Sequence, residues 1–514
     1  MKHKAIARST PRRPGAPPPR VLIVGAGFGG LCMAMRLKQA GINAFTVLEK
    51  AADIGGTWRD NTYPGACCDT KAFAYCYSFE QKTDWSHKWV PWSEILAYMR
   101  HCVDKYGLGP HLRLGREVAS AHFDETSGTW TVRTTGGETF TADVLVSCVG
   151  QLNRPAIPAI DGQEDFAGPS FHSARWNHGV DLDGRRVGVI GNAASAIQFI
   201  PEIARRAARV TVFQRSANWM IHRGNRPFSV FAQRLFSGSR LLSRLHRSWI
   251  WAYYELFIYP VIRGWPGFRH AGERLAKRAI RADIDDPVLR DQLVPDYPIG
   301  AKRILVSDDY YTSLTRANVD LVTDGIHRIT PTGVVTRNGA NHELDVIIYG
   351  TGFRSTEFLA PMDIRGRDGR SLRDSWEETG AEAYLGITVP GFPNFFMLYG
   401  PNTNLGHYSI IFMLERQAGY VLACLERLAA SGSTTMEVRD AVCRQYNDEL
   451  QARLARSTWA KVDHSWYMDR GRITNNWPGS TTAYWWRTRK VRDGDYVYAP
   501  ARDRTSPQPQ PATG

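Results

Sequence analysis

Two apolar strands that each run into a glycine turn, one ending at Gly25 and the other at Gly191, constrain this chain more than any other feature. The first reads Arg20-Val-Leu-Ile-Val-Gly25, apolar on both faces, and continues into Gly25-Ala-Gly27-Phe-Gly-Gly30 and a stretch of helical character reaching Gln39. A strand without polar alternation belongs inside a parallel sheet covered on both sides. The three glycines allow a tight turn, a close backbone approach to a pyrophosphate, and tight helix–strand contact. The helix N-terminus then faces the phosphates. A second strand over residues 44–48 ends at Glu49, nineteen residues past Gly30. A carboxylate there accepts hydrogen bonds from a ribose diol and repels a 2′-phosphate, so this site reads as one for FAD rather than for the adenosine of NADP.

The second strand, Arg186-Val-Gly-Val-Ile-Gly191, enters the turn Gly191-Asn-Ala193-Ala-Ser195-Ala196, where only the first glycine of the fingerprint is kept. Ala193 carries a methyl group where backbone should approach a pyrophosphate; a slightly opened loop with Ser195 donating a hydrogen bond would still bind. The next strand, residues 209–213, leads to Gln214-Arg215-Ser216, the place for an NADP 2′-phosphate. Arg215 offers a forked charge-assisted contact and Ser216 a hydroxyl. The expected fold class is α/β: two Rossmann-like, doubly wound nucleotide-binding domains, one for FAD and one for NADP, with a helical insertion in the second.

A chain of 514 residues is too long for one core. The net charge of +14 is concentrated in two places. Residues 1–20 supply +6 among prolines, and residues 223–281 hold twelve Lys/Arg against Glu255 and Glu273. With those removed the body is slightly acidic, so no nucleic-acid partner is expected. The first segment reads as a disordered basic tail rather than a leader. Eight cysteines show neither disulfide nor metal-ligand spacing, and no Cys-x-x-Cys pair occurs. No metal is expected, and a reducing cytoplasmic setting fits.

Between the two glycine turns lies Phe166-Ala-Gly168-Pro-Ser-Phe-His172-Ser-Ala-Arg-Trp176, and before it Gly55-Gly56-Thr57-Trp58-Arg-Asp-Asn-Thr-Tyr63-Pro-Gly65-Ala-Cys-Cys-Asp69. Both resemble signatures of type I Baeyer–Villiger monooxygenases, class B flavoprotein monooxygenases of the flavin-containing monooxygenase superfamily. The first departs only in Asn177, where the family has Pro or Asp; the second agrees at every specified position. The resemblance runs over about residues 20–479. It implies an enzyme that uses FAD, NADPH and O2 to insert oxygen beside a ketone carbonyl, giving an ester or lactone through a flavin peroxide held as an anion.

By that resemblance Arg303 keeps the peroxide negative and Asp69 pairs with Arg303. Gly56, Thr57, Trp58, Tyr63, Asn404 and Trp466 join Gly25, Gly27, Gly30 and Glu49 at the cofactors, and Lys302 adds charge for the 2′-phosphate beside Arg215 and Ser216. Residues 1–19 form the tail, 20–165 the first part of the FAD domain, 166–180 the linker, and 181–350 the NADP domain with its insert at about 223–300. The second part of the FAD domain covers 351–485, and 486–514 form an extension with a disordered end. For the basic, aromatic insert a helical cap packed on its own domain ranks first and a peripheral membrane contact second. Oxygenation of sulfur or nitrogen, or a flavoprotein with a degenerate NADPH site, are the alternative functions.

Overall fold

The computed structural model describes residues 18–462 and 466–500, so the basic tail before residue 18 and the last part of the extension lie outside the described residues. Val21–Val24 pairs in parallel with Phe45–Leu48 on one side and Val144–Ser147 on the other. Leu112–Arg113 and Phe395–Met397 complete the sheet, in the order Phe395–Met397, Val144–Ser147, Val21–Val24, Phe45–Leu48, Leu112–Arg113. The edge strand Phe395–Met397 comes from far along the chain, after every strand of the second sheet, so the chain leaves this sheet and returns to it. Ile23, Val47 and Val146 are fully buried at its centre, as strands covered on both faces require. The helix Phe28–Gln39 lies between the sheet and the long helix Ile410–Ser431.

The second sheet is also five-stranded and parallel, in the order Val319–Val322, Arg209–Phe213, Arg186–Ile190, Val346–Tyr349, Ser170–His172. Its edge strand is therefore the middle of the linker signature. Gly168 is required there because a Cβ would fall 2.4 Å from the Asp345 carbonyl oxygen. Trp176 then packs between Phe199 of the second domain and Tyr63 of the first, with ring centroids at 5.3 and 6.5 Å. Through Trp176 the linker ties the two domains together.

His172 is 3 % exposed and its Nδ1 accepts a hydrogen bond from the Ala174 N–H. Burial lowers its pKa from 6.5 to about 4. An unfolded chain takes up a proton near pH 6.5 that the folded one refuses until about pH 4, so stability falls as pH drops through that window. Between pH 6.5 and 5 the wild type should lose about 2 kcal/mol through this residue. Urea melts of His172→Gln should show a shallower loss over the same interval; parallel curves would remove His172 from the acid response.

Residues 223–300 are helical: Val230–Gly238, Arg240–Tyr253, a π-helical turn Tyr254–Ile258, Tyr259–Ile262, Pro266–Asp283 and Pro287–Leu293. The expectation that this insert packs on its own domain holds only for its last part, where Ala279 and Ile280 join the core of the second sheet. The earlier helices cross to the first domain. Arg247 Nη1 donates to the carbonyls of Phe73 and Cys76 at 2.7 and 2.9 Å, and Trp251 Nε1 to Thr481 Oγ1 at 2.9 Å. Glu255 accepts from Thr481 and faces His407. Burial opposes the Glu255 charge, but His407 and Thr481 outweigh it and bring its pKa to about 2. Polar side chains four residues apart share one helix face, and those at 247, 251 and 255 find partners on the first domain.

The extension also departs from expectation. Tyr496–Ala499 pairs antiparallel with Thr435–Val438, and Tyr496 is 1 % exposed, so residues to about 499 are built into the second part of the first domain. Among the described residues no helix is long and apolar enough to cross a membrane.

Candidate active site

Gly25 has φ +101°, and a Cβ there would sit 2.7 Å from the Cys148 carbonyl oxygen; at Gly30 it would sit 1.8 Å from the Gly25 oxygen. Gly30 is thus where helix Phe28–Gln39 touches its strand. Backbone cannot yield there without opening the turn. Gly30→Ala should cost about 3 kcal/mol or more by overpacking, read as a lower melting temperature and a loss of bound flavin; an unchanged flavin content would contradict this account of the turn.

Gly27 and Gly56 face each other across the floor of the site: a Cβ on Gly56, at φ +53°, would lie 3.4 Å from the Gly27 Cα. Glu49, 5 % exposed, ends its strand as expected. Its carboxylate accepts from Ala26 N at 2.8 Å, Ala51 N at 3.1 Å and Arg59 Nη1 at 2.9 Å. About four acceptor positions exist on a carboxylate, so roughly one is left for a ribose hydroxyl. Arg59, which the sequence did not single out, neutralises the buried charge.

From Glu49 a cleft of about 420 Å³ runs past Gly25, Gly27, Gly56, Thr57 and Trp58 to Tyr75 and Tyr399. Trp58 is 9 % exposed and donates through Nε1 to the Tyr75 hydroxyl at 3.1 Å. Gln151 also lines the cleft, and its Oε1 is buried without a partner. A buried acceptor needs a donor. One acidic end, a glycine floor, an aromatic far end and an unmet acceptor fit a flavin dinucleotide.

At the aromatic end stands the pair expected to carry the chemistry. Arg303 Nε and Nη2 both reach Asp69 Oδ2, at 2.7 and 2.6 Å, and each side chain is 29 % exposed. Arg303 Nη1 makes no hydrogen bond among the described residues. The Asp69 carboxylate, outweighing burial, holds the Arg303 pKa above its ordinary value, so the guanidinium stays charged. Two tyrosines missed by sequence reasoning share this electrostatic neighbourhood, Tyr399 and Tyr467. Burial pushes Tyr467 up to about 12 against the pull of Arg303; Tyr399 is raised in the same way.

Three expected cofactor residues are not among those lining this cleft. Asn404 does not line the cleft: its Oδ1 accepts from the Tyr399 hydroxyl at 2.8 Å and its Nδ2 donates to Asn476 Oδ1 at 2.7 Å. It carries Tyr399, which is held at φ +68°. Trp466 packs on Tyr467 with centroids 4.3 Å apart. Tyr63 points away to the second domain, donating to Gln198 Oε1 at 2.9 Å. A Cβ on neighbouring Gly65 would meet the Gln198 carbonyl oxygen at 2.5 Å. The Tyr-Pro-Gly part of the signature docks the domains, and the Gly-Gly-Thr-Trp part forms the cleft.

The second nucleotide turn keeps Gly191 at φ +102°, with a hypothetical Cβ 2.6 Å from the Gly350 oxygen. Ser195 precedes helix Ala196–Ile203 without capping a backbone N–H through its side chain, and Ala193 is exposed at the turn. Lys302 Nζ donates to Ser216 Oγ at 3.4 Å and lies 4.4 Å from the Tyr297 ring centre. Burial and the like charge of Arg215 lower the Lys302 pKa. Neither cation has an ion pair among the described residues. A lysine on the Ser216 hydroxyl with the charge of Arg215 near it fits a phosphate dianion.

A family model described as pyridine nucleotide-disulphide oxidoreductase matches residues 22–231. A Baeyer–Villiger monooxygenase of Pseudomonas aeruginosa is 41 % identical over 493 residues, covering 95 % of this chain and 92 % of that one. Among solved structures, the OTEMO complex with FAD and NADP superimposes with a TM-score of 0.85 at 31 % identity, covering 94 % of this chain and 100 % of the other. Oxidized steroid monooxygenase bound to NADP gives 0.83 at 33 % identity, again covering 94 % and 100 %. This chain belongs to the Baeyer–Villiger monooxygenase family.

Proposed function

We propose that the enzyme binds FAD in the first cleft and NADPH at the second turn, and inserts one atom of O2 beside the carbonyl of a ketone. The balance is ketone, O2, NADPH and a proton giving ester or lactone, water and NADP⁺. The observation that carries this reading is the charged Arg303, tethered by Asp69 at the aromatic end of the cleft. Bound FAD, once reduced by NADPH, supplies the electrons that activate oxygen.

The chain's own part is electrostatic. An arginine that cannot lose its proton stabilises negative charge on oxygen both before and after attack on the carbonyl. A unit charge at ~4 Å with an effective dielectric of about 20 contributes about 4 kcal/mol, and preorganised charge of this kind costs little rearrangement during reaction. Asp69 is a positioning residue: both of its contacts use one oxygen, which leaves the guanidinium free to pivot and Nη1 free to donate. Tyr467 and Tyr399 remain neutral at physiological pH and wall the site. Lys302, Arg215 and Ser216 hold the 2′-phosphate. A panel of ketones and sulfides, read by mass spectrometry, tests the assignment: ketones should give esters or lactones, whereas sulfoxides alone would contradict it.

A further inference from the structure

We propose that the outer face of the helical insert is a docking surface for an anionic lipid bilayer. Among the described residues, twelve of the sixteen exposed large apolar side chains lie within residues 230–275. No other stretch among the described residues approaches that density. Isolated exposed apolar residues are ordinary, but a concentrated patch marks an interaction site.

The helix Arg240–Tyr253 shows how the patch arises. Its inner face carries Ser243, Arg247 and Ile250, which is 2 % exposed, against the first domain. Its outer face repeats Leu241, Leu245 and Trp249 at intervals of four, exposed by 66, 56 and 59 %. The stripe then continues as an aromatic ladder, Trp249 to Tyr253 at 6.0 Å and Tyr253 to Phe257 at 5.8 Å. An apolar helix stripe is normally turned to a core, and here it is the polar Ser243 and Arg247 that face the protein while Leu241, Leu245 and Trp249 face outward.

Charge selects the occupant. Residues 223–281 contain twelve Lys/Arg and two carboxylates. Glu255 is turned inward to Thr481 and His407, and Glu273 pairs with Arg269. Arg234, Arg240, Arg244, Lys277 and Arg278 are exposed and make no ion pair among the described residues. A second copy of this face would bring like charges together. A nucleic acid would leave the leucines and aromatics uncovered. Apolar side chains protruding among arginines match the boundary between acyl chains and anionic headgroups.

The same insert reaches the reaction site. Tyr254, next to Tyr253 of the ladder, packs against the first domain's core with its ring 5.7 Å from that of Tyr408, and burial, with the Asp69 carboxylate adding to it, raises its pKa. It begins the π-helical turn Tyr254–Ile258, a local widening that recurs at functional sites.

The test is flotation of the FAD-loaded enzyme with vesicles of phosphatidylcholine alone or with 30 % phosphatidylglycerol. The wild type should float with the anionic vesicles and at least about tenfold less with the neutral ones. Phe231→Ser with Leu245→Ser and Phe257→Ser should weaken flotation about tenfold or more, and Arg244→Glu with Lys277→Glu and Arg278→Glu should do the same. Bound flavin and the NADPH oxidation rate report folding in each variant. Equal flotation of wild type and both variants, or none with anionic vesicles, overturns the proposal. So does a concentration-dependent dimer in sedimentation that the serine variant abolishes, since another copy would then occupy the face. Because flotation needs no turnover, its failure is separate from any failure of the ketone assignment.

Discussion

Arg303→Ala is expected to leave NADPH-driven bleaching of the flavin within a few-fold of wild type and to lower ester formation by about a thousandfold. Removal of one preorganised charge or donor at a developing oxyanion costs on the order of a hundred- to a thousandfold. Arg303 is a full charge with a spare Nη1, which places it at the upper end. Reduction by NADPH depends on the second nucleotide site, where Lys302 rather than Arg303 faces Ser216, so the two steps separate. Asp69→Asn should fall between. The carboxamide keeps an acceptor for Nε at 2.7 Å but removes the charge that raises the Arg303 pKa. Rapid-mixing spectroscopy with product analysis reads both steps. Full ester yield from Arg303→Ala would remove that residue from the reaction.

The second large effect concerns the nicotinamide cofactor. Arg215→Ala combined with Lys302→Ala should raise KM for NADPH about a hundredfold and leave KM for NADH nearly unchanged. Hydrogen bonds to charged groups contribute about 1.5–3 kcal/mol each, and NADH lacks the phosphate that makes them. The Lys302 pKa is depressed by burial and by the like charge of Arg215. Removing either cation alone relieves the other, so the single variants should each lose less than half of the combined effect on a logarithmic scale. An unchanged preference for NADPH in the double variant would show that the phosphate is read elsewhere.

Local chemistry made Gly25, Gly30 and Glu49 legible from sequence, because a glycine turn and the acid after the second strand are fixed within one βαβ unit. Arg303 and Asp69 were named by motif and are brought together across 234 residues at 2.6 Å. What stayed hidden depends on chain topology. Tyr399 follows an edge strand, Phe395–Met397, whose neighbour Val144–Ser147 lies far back in the chain. Tyr467 reaches Arg303 from beyond helix Asp440–Leu454. Neither carries a local signal. Tyr63 illustrates a different point: adjacent residues in one signature serve two surfaces, Trp58 the first cleft and Tyr63 the second domain, so a match to the motif does not say which side chains face the cleft. The insert was misplaced for a related reason. Its partners Phe73, Cys76 and Thr481 are far away in sequence, and helix periodicity names the inner face without naming what covers it.

A single turnover with NADPH, a ketone and ¹⁸O2 is the decisive measurement. The ester or lactone should carry one ¹⁸O atom, in the bridging position, with the carbonyl oxygen unlabelled and the other ¹⁸O atom in water. Product free of label, or label confined to the carbonyl through exchange with water, would contradict an oxygen insertion governed by Arg303 and Asp69.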